Sequence, residues 1–130
     1  MKKPVVLWAL ILAISIILLE GCKKEAKKYT GDFDFTICRF YWCMYPELDR
    51  WDTTYYSGSI KLLKKDTLLI NYALNSTKST KVSSDGQFPE IYAYHYHFRG
   101  GFISENEIKF YFEDGGLGSG YEWTIYGVRK

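Results

Sequence analysis

The stretch Ile91-Tyr92-Ala93-Tyr94-His95-Tyr96-His97-Phe98 is the most unusual in this sequence for the side chains it brings together that could do chemistry. His95 and His97 are the chain's 2 histidines. Residues two apart on an extended strand leave the same face, so both imidazoles would project side by side. Such a pair can hold zinc or copper, but a catalytic site needs a third ligand and an open position. No other histidine exists to supply that ligand, so polar-partnered strand histidines are expected, with no metal and no cofactor. Tyr92, Tyr94 and Tyr96 alternate with the histidines and share the opposite face with Phe98. They either pack as cross-strand aromatic pairs or line a ligand cleft, since such clefts are largely apolar with a few polar groups that set orientation. Tyr92, Tyr94, Tyr96 and Trp123 are therefore the candidate ligand-binding set, with Tyr55, Tyr56 and Tyr72 as further contributors.

Nothing else in the sequence assembles into a catalytic group. Asp32 and Asp34 sit on the outward face of a strand and read as solvated charges. The run Gly115 to Gly120 has no following helix and no Gly-Lys-Ser/Thr, so it is a hairpin loop and not a phosphate cradle. No catalytic residues are expected, and the chain does not read as an enzyme. Cys38 and Cys43 flank Arg39-Phe40-Tyr41-Trp42. An extended run between them spans roughly 17 Å, and a disulfide needs Cα atoms within about 7 Å. The pair can join if Arg39 to Trp42 turns or bulges. If the segment stays one straight strand, the thiols remain free on opposite faces.

The third cysteine has a different setting. Lys2 and Lys3 precede an apolar run from Val5 to Leu19, broken only by Ser15. A membrane span needs about 20 apolar residues, so this shorter run matches a secretory signal. Leu19, Gly21 and Cys22 resemble the lipobox of bacterial lipoproteins, with Glu20 as the departure from its pattern. The resemblance implies cleavage before Cys22, a diacylglyceryl group on its thiol and an acylated amino terminus, of the palmitate type. Two or three acyl chains anchor stably. Residues 1–21 are then the signal peptide, 22–28 a lysine-rich tether and 29–130 the folded domain. The expected location is the cell envelope, lipid-anchored, at the outer membrane. The net charge of +2 belongs to the leader and tether, because the folded part is slightly acidic. That composition excludes the basic face that nucleic-acid binding requires.

The elements that must position these residues are strands. Asp32 to Ile37 alternates strictly, with Phe33, Phe35 and Ile37 inward. Further strands are expected over 53–63, 67–74, 81–83, 90–98, 101–103, 108–113 and 121–129. Loops are expected over 45–52 and 75–80, and Gly58 marks a bulge or a close approach. Seven or eight short strands with frequent turns indicate an all-β domain, a single antiparallel meander that is barrel-like or a β-sandwich. Gly31-x-Phe33 and Arg129 resemble lipocalins at two points, where a Gly-x-Trp on the first strand packs against an arginine from the last. The layout is similar to that of small bacterial lipoproteins whose domain opens with a Gly-x-Phe/Tyr strand after a lysine-rich tether. The expected function is a membrane-anchored binding module for a hydrophobic, sugar-like or peptide ligand. The alternative is a structural or interaction protein of the envelope, an assembly factor or enzyme inhibitor with a protein partner.

Overall fold

The structure is a computed structural model that describes residues 25–130. The segment expected to be a signal peptide and Cys22 lie outside the described residues. Eight antiparallel strands form one curled sheet. They are β1 (Gly31–Cys43), β2 (Arg50–Lys64), β3 (Thr67–Ala73), β4 (Ser76–Lys81), β5 (Ile91–Ala93), β6 (Tyr96–Ser104), β7 (Glu107–Gly115) and β8 (Ser119–Arg129). Their order across the sheet is β4-β3-β2-β1-β8-β7-β6-β5. The first and last strands are therefore hydrogen-bonded neighbours, and the sheet is split between β4 and β5. This is an up-and-down meander curled into a half-barrel, not a two-sheet sandwich.

Inward residues fill the base of the half-barrel, the end where β1 begins. Phe33, Phe35, Ile60, Leu68, Ile70, Phe98, Ile108, Phe110 and Ile125 are all fully buried, each stabilising the fold by about 1.5–3 kcal/mol. The connection between β4 and β5 crosses the split. Its Phe88 stacks on Phe98 at 6.0 Å and meets Phe102 edge-on at 5.8 Å. Tyr72 on β3 reaches across to Phe110 on β7 at 5.4 Å. Side chains, with backbone bonds from the connection to β6 (Phe88 N–H to the Gly100 carbonyl, Phe102 N–H to the Gly86 carbonyl), thus hold the two free edges together where β4 and β5 do not pair. At the base, Ala26 and Tyr29 are buried, and Tyr29 stacks on Phe102 at 4.1 Å. The Arg129 guanidinium lies 5.4 Å over the Phe33 ring and donates to the carbonyls of Lys28 and Glu105.

Several boundaries differ from the sequence expectation. β1 does not stop at Ile37. Its second half runs between β2 and β8 and is hydrogen-bonded to both, Arg39 lying opposite Asp52 and Trp123. Cys38 and Cys43 therefore share one continuous strand and are free thiols. The turn that a bridge between them requires does not form. The Cys43 thiol instead donates to the Tyr45 carbonyl at 3.0 Å. The polar run expected as a loop over 75–80 is mostly β4, an edge strand that tolerates Ser and Thr because only β3 pairs with it. Asn75, at φ 59°, makes the turn before it. The strand expected over 90–98 is broken by a turn at Tyr94-His95, which joins β5 to β6.

Candidate functional site

The turn at Tyr94-His95 changes the geometry of the whole histidine–tyrosine stretch. His97 lies on β6, and its Nε2 is 2.7 Å from Glu90 Oε1. His95 sits in the turn against the Tyr94 ring, centroids 4.0 Å apart. The imidazoles do not share a strand face, so the side-by-side pair that could seed a metal site is absent. Among the described residues, no cluster of three His, Cys, Asp or Glu is placed to hold a metal ion. Tyr92 and Tyr94 are 83% and 86% exposed, so they are not core. With Tyr96, His95, Trp42 and Leu117 they border a shallow cleft of about 300 Å³ at the rim. Tyr96 turns inward, and its hydroxyl accepts a bond from the Lys78 ammonium. The glycine run opposite is the β7–β8 hairpin, where the Trp42 indole lies on Gly115 and Gly120. A Cβ at either glycine would fall 3.0 or 2.7 Å from the indole.

Trp123 belongs elsewhere. It faces the concave interior, stacked on Phe112 at 4.6 Å, above the filled base. Antiparallel register puts directly opposed residues on one face. The inward row through Trp123 is therefore Phe112, Trp123, Arg39 and Asp52. The next row toward the mouth is Tyr96, Asp114, Tyr121, Tyr41 and Arg50. These upper rows have no apolar lid, because β3 leaves β2 after the Ser59–Asn71 pair and leans toward β7. The result is an open bowl over an apolar floor. Two hollows of about 350 and 390 Å³ meet in it, with Arg39 and Asp52 common to both. Arg39 donates to Asp52 Oδ2 at 2.7 Å and lies 5.7 Å over Tyr121. Arg50 lies 5.6 Å over Tyr41.

No family model matches this chain, and neither a curated protein nor a solved structure matches it. The functional reading therefore rests on the bowl and the rim. Of the residues expected to bind a ligand, Tyr92, Tyr94 and Tyr96 meet at the rim cleft, whereas Trp123 lies in the bowl. Arg39, Tyr41, Asp52 and Tyr121 were missed by sequence reasoning. Their common face becomes visible only when β1 is known to continue past Ile37, since the same alternation from Phe33 then brings Arg39 and Tyr41 inward.

The outer face carries a second polar group. Cross-strand register aligns Phe40, Glu122, Glu113, His97 and Tyr92 in one row. Two carboxylates directly opposite each other repel. Partial burial, then the Glu113 charge, raises the Glu122 pKa above its ordinary value. Burial also pushes the Tyr111 phenol up to about 12, helped by the charges of Glu122 and Glu113; its hydroxyl donates to Glu113 at 3.1 Å. A raised carboxyl pKa means that the fold favours neutral Glu122. That contribution is present below the ordinary carboxylate range and is lost as pH rises through the raised value. Glu122→Gln is therefore expected to stabilise the domain at neutral pH by about 0.2–1 kcal/mol. The gain should disappear near about pH 3, where both states are protonated. Thermal melts of both proteins across that range test it, and a gain that persists in acid would refute the charge explanation.

Proposed function

We propose that this chain is an exported lipoprotein of the cell envelope, anchored through Cys22 at the outer membrane, whose β domain binds a small ligand. The observation that carries the binding role is the division of the half-barrel interior. Its base is filled by buried Phe and Ile, while the rows above stay open and present Trp123, Phe112, Tyr121 and Tyr41 beside Arg39 and Asp52. An aromatic wall with a few charged groups suits a ligand that is flat and apolar on one face and polar at its edge. Barrel mouths are common places for such sites.

Binding is tested by screening the full chain, in detergent micelles, against printed arrays of saccharides and short peptides. Trp123→Ala is expected to reduce retention of a bound probe by about tenfold, the effect of losing one stacked aromatic at a binding site. Tyr94→Ala at the rim should leave it unchanged. Retention that survives Trp123→Ala would remove the bowl from consideration. Anchoring is tested separately. Cys22→Ala is expected to abolish incorporation of a radiolabelled fatty acid, and undiminished labelling would end the lipid-anchor assignment.

A second reading, an interaction protein of the envelope, has its own support. From Arg50 to Gly58, β2 is hydrogen-bonded only to β1, so its other edge is unpaired. Trp51 and Tyr55 stand on that segment, 75% and 78% exposed. Unpaired edges can accept a strand from a protein partner. Slow amide exchange over residues 50–57 in a partner complex, against fast exchange in the free protein, would favour this reading.

A further inference from the structure

We propose that the ligand of the bowl is a saccharide bearing a carboxylate, an acidic sugar and not a neutral one. This inference rests on the binding-module reading and names the ligand class for the same site. Three rings follow one another along the concave wall. Tyr41 lies 5.0 Å from Tyr121, and Tyr121 lies 5.4 Å from Trp123, with interplanar angles of 49° and 31°. Such a shelf can take successive flat sugar faces, which lie on aromatic rings by their C–H groups.

The charges around the shelf determine what the sugar carries. Among the described residues of the strands around the bowl, the inward cations are Arg39, Arg50 and Lys78, and the inward carboxylates are Asp52 and Asp114. Arg39 is already paired with Asp52, through one of its five N–H donors. Among the described residues, neither Arg50 nor Lys78 has a carboxylate within ion-pair distance. The Lys78 ammonium is instead held by the Tyr96 hydroxyl and lies 4.4 Å over the Phe98 ring. Arg50 stands at the mouth over Tyr41, and Arg39 stands one row deeper, over Tyr121. Each guanidinium thus flanks a ring on which a sugar would lie. A guanidinium fork matches the two oxygens of a carboxylate in a bidentate bond. A neutral sugar would offer Arg50 no carboxylate and leave its guanidinium to water, as in the free protein.

The probes are trigalacturonic acid and its full methyl ester, which keeps the same rings but carries no charge. Each is titrated into the full chain in detergent micelles by calorimetry. The acid is expected to bind at least about tenfold more tightly than the ester, the worth of one charge-assisted bond. Arg50→Ala should remove that advantage and leave ester binding as it was, while Arg50→Lys should keep part of it. Raising the salt concentration should weaken only the acid. Acetate in excess should not displace it. Equal binding of acid and ester, loss of both only in Trp123→Ala, would overturn the acidic preference while leaving the binding module standing. Displacement by acetate, an Arg50→Ala protein that binds acid as before, or failure of both probes would also overturn this proposal.

Discussion

Phe110→Ala is expected to lower the unfolding free energy by about 3–5 kcal/mol, the usual cost of removing a buried phenylalanine from a packed core. Phe110 is 1% exposed. It receives rings from three other parts of the chain, with Tyr72 at 5.4 Å, Phe98 at 6.3 Å and Phe88 at 6.4 Å. Two of those contacts matter more than their number suggests, because Tyr72 and Phe88 tie β7 to the other side of the split between β4 and β5. Tyr72 belongs to the β3–β4 hairpin, Phe98 to β6, and Phe88 to the connection between the two edges. A cavity at Phe110 would loosen the aromatic contacts that close this side, where β4 and β5 are not paired with each other. A domain of this size has about 5–15 kcal/mol in total, so the loss is a large fraction of it. Urea denaturation followed by circular dichroism measures it. Tyr94→Ala, at an exposed position, is the control and should change stability by less than about 0.5 kcal/mol. A loss at Phe110 no greater than at Tyr94 would show that the aromatic bridge does not hold the half-barrel shut.

Gly58→Ala is expected to cost about 3 kcal/mol, the upper end for forcing an extra methyl into a close-packed site. A Cβ at Gly58 would fall 1.9 Å from the Asn71 carbonyl oxygen. That neighbour is backbone, so no rotamer change relieves the clash, and either β2 or β3 must move. The position is also where the bowl begins. Below it, Ser59 pairs with Asn71; beyond it, β2 has only β1 as a partner. Pushing β3 outward would widen the gap that the bowl occupies. The melting temperature should fall by on the order of 10–20 °C, and ligand retention should fall with it. Gly116→Ala is the matched control, since a Cβ there meets only the His95 ring edge at 3.9 Å. If both substitutions melt alike, the close approach of β3 is not what requires glycine at 58.

The unpaired stretch of β2 shows how such an edge is kept from random association. Charged residues on an edge strand discourage edge-to-edge pairing, and Arg50 and Asp52 both stand there. The same two side chains supply charge to the bowl. Protection of the edge and recognition in the bowl therefore draw on one pair of residues, which makes Arg50 informative in both binding and self-association measurements.

Strand alternation was written plainly in the sequence. Phe33, Phe35 and Ile37 announce a half-buried strand, as do Ile108, Phe110 and Phe112, and all of them except Phe112 are buried. The all-β class followed from those periods and from the Gly, Asn and Asp turns. Gly58 was legible as a bulge or a close approach, and the Asn71 carbonyl of β3 makes it the second. The extent of β1 was not, because Cys38 to Cys43 contains a charge and three aromatics that satisfy no single pattern. Its strand state comes from β2 and β8, which bond to it from both sides. The turn at Tyr94-His95 was likewise hidden, since every residue there suits a strand and only the pairing of Ala93 with Tyr96 breaks the run. The curl of the sheet placed Trp123 away from the rim tyrosines and beside Arg39 and Asp52. Periodicity reports which way a side chain points from its own strand; which distant strand it then faces depends on register and on where the sheet splits, and those are set by long-range hydrogen bonds that no local stretch encodes.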